Sequence, residues 1–328
     1  MQPIFKAIVG GVDVTSTLAE NAASFTHTDQ RGFESDSLEF TMADPGADYA
    51  LPARGRTLLW SCGYVGKPLV YRGAFEVDEV GQSGGASTHD TITVRCKSAD
   101  MRKSLKVHKT RSFHRKTLGE ILTQVASDHE LKPRISTQFA SIAVDHLDQT
   151  NESDINLITR VAKEYNAVAK VADGYLIFVE RGAATDASGV PLPPVVISRG
   201  LTYQHDYLVA DRDQYTGVIA KYRPSEKAKT QQVVVGSEDN PRTLKMIYKS
   251  EAAARTAAEA AMNGMTNGTE TITLSLSDGI PELFAEMPLV LLGYRPEIDG
   301  AGWVVESVTT TLDGRLEQTV NAERGGSG

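Results

Sequence analysis

The sequence predicts an α+β protein that is mainly β, with two similar small β-barrel-like domains and an α/β insert between them. Short runs of alternating apolar and polar residues, separated by turn-forming residues, occupy both ends of the chain and indicate antiparallel strands. Between them, apolar residues recur at spacings of three and four, which is typical of helices. We expect a first β domain over residues 1–104, an insert with two helices over 105–182 and a second β domain over 183–328.

The first domain is predicted from five alternating runs, with turns such as Gly10-Gly11 and Gly84-Gly85 between them. The runs are FKAIVGGVDVT, SLEFTMAD, TLLWSCGY, LVYRGAFEVDEV and DTITVRC. Short turns between such runs favour antiparallel neighbours, and a small barrel would close the sheet. The tripeptide from Glu34 to Asp36 is interpreted as the polar lead-in to the second run.

The insert is predicted from two helical stripes, one in TLGEILTQVASDHE and one in ESDINLITRVAKEY. The apolar positions that share a helix face are Leu118, Ile121, Leu122 and Val125, and then Leu157, Ile158, Val161, Ala162 and Tyr165. The segment ISTQFASIAVDHL between the two helices is strand-like. The segment AVAKVADGYLIFVE resembles a hairpin that turns at Asp173-Gly174.

The second domain is predicted to follow the proline-containing segment DASGVPLPPVV, which favours an extended crossing. Strand-like YTGVIAKYRP and QQVVVG precede one alanine-rich helix, SEAAARTAAEAAMNGM, in which Ser250 is the expected N-cap and Gly264 the expected stop. Alternating runs then continue to a last hairpin at Asp313-Gly314.

An internal repeat is suggested by two segments, TLLWSCGYVGKPLVYRGAFEVDEV and PLVLLGYRPEIDGAGWVVESV. Each has an apolar strand that ends in Gly-Tyr, then a loop, then an aromatic residue that begins an alternating strand. The aromatic residues are Phe75 and Trp303. The repeat predicts that one chain carries two β domains of similar architecture.

Composition argues against several classes of function. The chain has 328 residues, 41% of them hydrophobic and 23% charged, with a net charge of −8, which gives no sign of binding to nucleic acid or to an anionic membrane. Its N-terminal segment MQPIFKAIVGGVDVT lacks the pattern of a signal peptide, and no apolar run approaches the roughly 20 residues that span a bilayer. We therefore expect no membrane contact and a chain that is made and kept in the cytosol.

No motif for catalysis or cofactor binding was found. GxSxG, HExxH, a Walker loop, GxGxxG after a strand and CxxC are all absent. Cys62 and Cys96 are interpreted as buried structural thiols. We expect no catalytic residues, no cofactor and no metal site, although two of the 42 acidic residues could still converge in the manner of a glycoside hydrolase.

Positive charge is concentrated in RKSLKVHKTRSFHRK, which is a candidate docking strip for an acidic partner surface or a neighbouring subunit. A solvated basic segment is the alternative, and nucleic acid is disfavoured because Phe113 is the only aromatic residue in the strip. His108, His114 and His129 lie in this region at spacings that fit no metal motif. The basic residues of the candidate strip are Arg102, Lys103, Lys106, Lys109, Arg111, Arg115 and Lys116.

The polar start of the second insert helix is explained by helix capping. Glu152, Ser153 and Asp154 stand where free backbone N–H groups and the positive end of the helix dipole favour hydroxyl and carboxylate side chains. Each such contact typically stabilises a helix by about 0.5–1 kcal/mol. This interpretation assigns these residues to folding.

With this order of elements, the chain resembles the late control D family of phage tail proteins, the baseplate hubs of contractile tails, which are related to the N-terminal part of type VI secretion spikes. The most specific match is HLDQTNESDINLITRVAKEYNA, where Gln149, Glu152, Ser153, Asp154 and Arg160 are the family's motif residues, followed by Ala162. Leu157 stands where phenylalanine is usual in the family. Weaker matches, such as GAFEVDEV and GWVVESVTTTLDG, run along the whole chain.

The resemblance implies a homotrimer in which each chain contributes two barrel-like domains, so that the ring has a pseudo-sixfold face. Such a trimer is a structural symmetry adapter between a threefold central spike and a sixfold tail tube, with the tape-measure protein and other baseplate proteins as further partners. It implies no catalytic step and no sequence-specific nucleic acid. The expected location is the virion tail baseplate or a tail-like bacteriocin particle, assembled in the host cytoplasm.

Two alternatives stay open from the sequence. One is a tail-associated enzyme that degrades cell walls, which would need convergent carboxylates or a Cys/His pair. The other is the hub part of a type VI secretion-like spike. In that case the needle is expected to be a separate protein, because the chain ends at NAERGGSG.

Overall fold

The computed structural model describes all residues except 33–35, 86–87, 100–102, 173, 186–187, 189, 210–214, 225–228, 249, 267–269 and 325–328. Its first β unit has seven strands and one short helix, α1 at Thr15–Glu20. The strands are β1 Pro3–Val9, β2 Val12–Asp13, β3 Ser24–Gln30, β4 Ser37–Ala43, β5 Thr57–Tyr64, β6 Val70–Gly85 and β7 Thr88–Ser98.

The insert contains the two predicted helices, α2 Leu118–Asp128 and α4 Asp154–Glu164. A single helical turn, α3 at Thr137–Ala140, lies where a strand was predicted, so the expected count of two helices was too low. Phe139 on this turn is buried edge-on against Phe178 at 5.2 Å between ring centroids. The insert strands are β8 His108–Thr117, β9 Lys132–Ile135, β10 Ala143–Ser153, β11 Ala167–Ala172 and β12 Tyr175–Glu180.

The described residues of the remaining part of the chain form nine strands and the predicted alanine-rich helix, α5 at Glu251–Thr266. Three of these strands form a separate small sheet on which α5 packs, with its own hydrophobic cluster. These are β15 Gly217–Tyr222, β16 Gln231–Gly236 and β17 Pro241–Tyr248. The other six form the second β unit: β13 Val195–Ser198, β14 Thr202–Val209, β18 Glu270–Leu276, β19 Pro288–Leu292, β20 Gly300–Leu312 and β21 Leu316–Arg324.

The two β units have the same strand order, in agreement with the predicted repeat. In the first unit the order is β1-β5-β6-β7-β4-β3, and in the second it is β13-β19-β20-β21-β18-β14. One pairing differs, because β1 and β5 are antiparallel whereas β13 and β19 are parallel. The connection between β3 and β4 is direct, whereas the small sheet and α5 lie between β14 and β18.

The two units have separate hydrophobic cores and share one continuous sheet. β20 is long enough to pair with β19 through its first residues and with β3 through Ser307 to Leu312. Leu312 and Leu316, at the end of the β20–β21 hairpin, are buried in the hydrophobic core of the first unit. We call the β20–β3 pairing and these two leucines the internal joint.

The hydrophobic cores otherwise follow the three parts of the chain. The first unit is filled around Phe25 and Trp60, and the second around Trp303. The insert core contains the stripes of α2 and α4 as predicted, with Tyr165 only partly buried. Helix α2 begins with a capping box between Thr117 and Glu120.

We predict that Leu316→Ala destabilises both β units together. A buried Leu→Ala change typically costs about 2–5 kcal/mol. Leu316 belongs to a strand of the second unit but to the core of the first. Denaturant unfolding should therefore show one transition shifted to lower denaturant.

The two tryptophans allow each unit to be followed separately, because Trp60 reports the first unit and Trp303 the second. Single-tryptophan versions made with Trp60→Phe and Trp303→Phe should report the same shift after Leu316→Ala. Leu292→Ala is the control, because Leu292 is exposed on the same sheet. A shift seen by one tryptophan only would contradict a cooperative joint.

Candidate functional site

The motif residues lie where β10 ends and α4 begins. Ser153 is the N-cap of α4, and its side chain accepts a hydrogen bond from the backbone N–H of Asn156 at 3.3 Å. Glu152 belongs to β10, which has an irregular register between Gln149 and Glu152. Asn151 at this irregularity has φ +46°, a left-handed conformation that asparagine tolerates better than most residues.

Asp154 is fully buried and is bonded on both carboxylate oxygens. Its Oδ2 contacts Lys109 Nζ at 2.6 Å and His129 Nε2 at 2.7 Å. Its Oδ1 accepts hydrogen bonds from Arg111 Nη2 at 2.6 Å and Gln149 Nε2 at 2.8 Å. We call these five residues the Asp154 network.

A second layer of hydrogen bonds fixes the network. Gln149 Oε1 accepts from Arg111 Nε at 2.7 Å, and Gln149 Nε2 also donates to the backbone oxygen of Glu152 at 2.8 Å. Arg111 reaches Asp128 at 2.6 Å, and His129 Nδ1 lies 2.8 Å from Ser104 Oγ. The network therefore connects β8, α2, β10 and α4 through side chains that are far apart in sequence.

The ionised form of Asp154 is the form that this environment favours. Burial alone would raise the pKa of Asp154. Hydrogen bonds from Lys109, His129 and Gln149 and the charge of Arg111 outweigh burial and hold its pKa below the ordinary value. Helix capping explains Ser153, but Asp154 has the larger role of compensating two partly buried cations, Lys109 and Arg111.

Arg160 supports the same region from the surface. Its Nε and Nη2 donate to the two carboxylate oxygens of Glu152 at 3.1 and 2.8 Å, and Nη2 also donates to the backbone oxygen of Asp148 at 3.0 Å. Arg160 is 45% exposed, so this bidentate pair contributes little to stability, about 0–1 kcal/mol. Its effect is to hold the end of β10 against the second turn of α4.

In the structure, some basic residues of the candidate docking strip are bonded to other side chains of the insert, and others are exposed. Lys109 and Arg111 are used in the Asp154 network, and Lys116 Nζ donates to Gln124 at 2.6 Å. Lys106 and Arg115 are exposed, so a docking role stays a prediction for them. Lys103 begins a 3-10 turn at Lys103–Lys106, and its side chain, like all of Arg102, lies outside the described residues.

The insert is attached to the continuous sheet by ion pairs. Lys170 on β11 donates to Asp29 at 2.7 Å, to Asp36 at 3.0 Å and to the backbone oxygen of Gln30 at 3.0 Å. Burial raises the pKa of Asp36 to about 6. For Asp29, burial is outweighed by Lys170 and Arg72, which lower its pKa.

A second group of ion pairs lies at the other end of this attachment. Arg181, which follows β12, donates to Glu323 at 2.7 Å, and Arg31 contacts both Glu323 and Glu286. Because the four side chains come from both β units and the insert, each part limits the movement of the other two. We call these contacts, together with those of Lys170, the seam.

Hydrogen bonds across the two β units reinforce the internal joint. Arg72 Nη1 donates to the backbone oxygens of Pro281 and Leu283 at 2.9 and 2.8 Å, and its guanidinium lies 4.0 Å from the centroid of the Phe284 ring. Tyr64 Oη donates to the backbone oxygen of Gly279 at 2.8 Å. Arg72 is buried, so removal of these acceptors would leave a desolvated charge.

Two adjoining cavities lie along the seam, of about 760 and 630 Å³. Both are lined by Lys163, Arg181 and Glu306, between α4 and the second β unit. Their lining mixes cations and carboxylates, and Arg181 is paired with Glu323. No nucleophile with an adjacent base is found among the described residues that line them.

Both cysteines are buried and free. Burial raises the pKa of Cys62 to about 11 and that of Cys96 to about 12, so neither supplies a thiolate at neutral pH. Within the described residues, no three or more His, Cys, Asp or Glu side chains are grouped so that they could hold a metal ion. No helix in that part of the chain is long and apolar enough to cross a membrane.

A family model described as the phage tail baseplate hub matches residues 63–315. A protein of Escherichia phage 186, described as a probable baseplate hub protein, is 30% identical over 95% of this chain and 90% of its own. The 43 kDa tail protein of prophage MuSo2 from Shewanella oneidensis has a TM-score of 0.71 at 12% identity, with 98% of each chain covered. An E. coli component of the type VI secretion system has a TM-score of 0.55 at 11% identity, over 91% of this chain and 72% of that chain.

We predict that Asp154→Asn lowers the free energy of unfolding by about 1–3 kcal/mol at neutral pH, because it removes the buried counter-charge of Lys109 and Arg111, which are partly exposed and keep Asp128 as a second partner. The folded state lowers the pKa of Asp154, so its contribution is present above the ordinary carboxyl pKa of about 3.9 and is lost as the pH falls below it. The difference between the variant and the unmodified protein should therefore shrink in acid.

Urea unfolding at several pH values measures this difference. Glu152→Gln is the matched control, because it removes the charge of the neighbouring motif carboxylate, whose partner Arg160 is half-exposed. Its effect should stay within about 1 kcal/mol. Equal losses for the two variants would contradict the special role of Asp154.

Proposed function

Because the chain belongs to the phage tail baseplate hub family, it is a baseplate hub protein of a phage tail, and we propose that it acts as a trimeric symmetry adapter in a contractile tail. In this proposal, three chains form a ring that joins a threefold central spike to a sixfold tail tube. The repeated strand order is the observation that supports this proposal, since two similar units in each of three chains give six similar positions. The role is structural and needs no catalytic residue.

The two units agree in detail as well as in order. Phe75 and Trp303 are buried at matching positions, and each strand has an irregular register just beyond, between Val77 and Glu79 in β6 and between Val305 and Ser307 in β20. A bulge bends its strand and increases the twist locally, and a matched pair of bulges gives two units a matched curvature. Matched curvature is what a pseudo-sixfold ring requires.

The internal joint suggests how neighbouring chains meet. Beyond its bulge, β20 pairs with β3. Among the strands that the structure describes, the corresponding half of β6 pairs only with β7. The counterpart of β3 is β14, and within the same described strands it pairs only with β18. We expect β14 of one chain to pair with β6 of the next, because this repeats the internal joint between molecules.

We call this β14–β6 pairing between chains the external joint. Its register follows from the bulge that the two units share. In the internal joint, Val308 lies opposite Asp29. Their counterparts, by position in the matching ladders, are Val80 and Val209. Val209 is 61% exposed in the single chain, and Leu208 beside it is 54% exposed, so β14 has apolar surface to bury.

The external joint should be weaker than the internal one. The tip of the β20–β21 hairpin contributes Leu312 and Leu316 to a hydrophobic core. The corresponding tip between β6 and β7 has the sequence GGASTHD, which has little apolar surface to bury. Because the joint between chains is weaker, we expect the chains to complete the ring when they bind the spike.

The further partners proposed are the central spike, the tail tube, the tape-measure protein and other baseplate proteins, with assembly in the host cytoplasm. The likeness to the type VI component shows a shared fold, and the family match favours the phage tail over the secretion spike. Burial of both thiols and the lack of a nucleophile beside a base in the described cavity linings argue against a wall-degrading enzyme. A particle that carries DNA and a tail-like bacteriocin remain alternatives.

We predict that the purified protein has three times the mass of one chain, either alone or after it meets the spike protein. Native mass spectrometry with and without the spike measures this. A monomer under both conditions would contradict the trimeric adapter.

We also predict that Val80→Cys combined with Val209→Cys gives disulfide-linked trimers under mild oxidation, because directly opposed residues in antiparallel strands lie within reach of a disulfide. Glu79→Cys with Val209→Cys is the matched control, since successive strand residues point to opposite faces. A trimer by mass that is not linked by the first pair would reject the β14–β6 joint and leave the adapter role intact.

A further inference from the structure

A pair of histidines lies on the outer face of the β8–β10 ribbon, which is a separate two-stranded sheet. His114 on β8 is directly opposite His146 on β10, and both side chains are exposed. Their Nδ1 atoms are 3.0 Å apart, and their ring centroids are 4.7 Å apart. The pair lies on the face opposite the Asp154 network, because Arg111 and Phe113 point to the insert core side.

A carboxylate fixes the orientation and tautomer of one ring. His146 Nε2 lies 2.7 Å from Asp148 Oδ2, and Ser112 Oγ donates to Asp148 Oδ1 at 2.5 Å. Asp148 Oδ1 already accepts the hydrogen bond from the Ser112 hydroxyl, and its Oδ2 faces His146 Nε2, so the carboxylate is the acceptor towards the ring. The Nε2–H of His146 is therefore the donor, and in neutral His146 the Nδ1 lone pair points at His114.

This is the arrangement that metal-binding histidines have in proteins, where the ring nitrogen that does not bind the metal donates to a carboxylate. The carboxylate holds the ring in place and makes its other nitrogen more basic. The hydroxyl of Ser112 holds the carboxylate of Asp148 in turn, so both residues help to orient the ring of His146.

We propose that His114 and His146 form a two-histidine chelate for a divalent transition-metal ion, Cu²⁺ or Ni²⁺ in preference to Zn²⁺. An ion about 2.0–2.1 Å from each Nδ1 would have about 95° between its two bonds at the present separation of the nitrogens. That angle suits the adjacent positions of a tetragonal site, which Cu²⁺ and Ni²⁺ prefer, better than the tetrahedral site of Zn²⁺. The general affinity order places Cu²⁺ above both Ni²⁺ and Zn²⁺, which favours Cu²⁺ further.

Binding of the ion needs no other reactant to take up or supply a proton. Before binding, one Nδ1–H, that of His114, lies between the two nitrogens. The ion binds both Nδ1 lone pairs, and the proton of His114 moves to its own Nε2 by exchange with water, so both rings stay neutral. Water completes the coordination of the ion, because the described residues offer no third ligand at suitable geometry.

No pattern in the sequence indicates this pair, because the two histidines are 32 residues apart and belong to different strands. His108 and His129, which the sequence places in the same region as His114, make other contacts in the structure. His129 belongs to the Asp154 network, and His108 lies opposite Ser153 near the far end of the ribbon. The absence of a spacing motif therefore did not exclude a site built across two strands.

Titration of the full-length protein with CuCl₂, NiCl₂ and ZnCl₂ in separate experiments, followed by calorimetry, tests the proposal. One ion should bind per chain, and electron paramagnetic resonance of the Cu²⁺ complex should show coupling to two nitrogens. His114→Ala and His146→Ala should each weaken binding at least tenfold. Asp148→Asn should weaken it about 10–100-fold, because it leaves both ligands but removes the support of His146.

His108→Ala is the matched control, since it removes an exposed histidine from the same strand. It should leave the affinity unchanged, and circular dichroism should show that every variant keeps its fold. Binding that survives His114→Ala or His146→Ala would overturn the chelate, as would a preference for Zn²⁺. Unchanged affinity in Asp148→Asn would overturn the assigned role of the carboxylate.

Discussion

The pairing of β20 with β3 is the contact on which the rest of the structure depends. These strands are 281 residues apart where Thr28 and Thr309 meet, and their pairing joins the first and last parts of the chain in one sheet. It brings Leu312 into the first core, and it places Arg31 beside Glu323 and Glu286. The insert then rests on a surface to which both β units contribute, so its attachment requires the joint to be formed.

The tripeptide Glu-Ser-Asp occurs twice in the chain, and the aspartates that end the two copies, Asp36 and Asp154, both hold the insert, although they lead into different elements. Asp154 binds cations from β8 inside the insert, and Asp36, which precedes β4, binds Lys170 across the seam. In both cases a carboxylate in a polar lead-in meets a basic residue from a distant strand. Buried ion pairs stabilise little when they replace apolar contacts, but the loss of one partner is costly, so such pairs favour one arrangement of the parts over others.

Local patterns in the sequence were enough to predict the elements but not their long-range contacts. The stripes of α2 and α4, the hairpin of β11 and β12 and the repeat were all visible because each depends on neighbouring residues. The turn α3 lies inside a segment predicted as a strand, because a helix of four residues is too short to show a helical repeat of apolar residues. The sequence pattern indicates only a capping role for Asp154, because its partners Lys109, Arg111 and His129 lie 25 to 45 residues away, where no local pattern indicates them.

The differences between the two β units are as informative as their likeness. The strands that match are those of the sheet, whereas the insert and the small sheet with α5 each occur once per chain. In a trimeric ring, the matching strands would present six similar positions, and the unmatched parts would present three. A chain built in this way can face a sixfold partner with its sheet and a threefold partner with its additions. In the proposed trimer, the duplication would therefore supply the sixfold character, and the insert, held by the seam and the Asp154 network, would supply the threefold character.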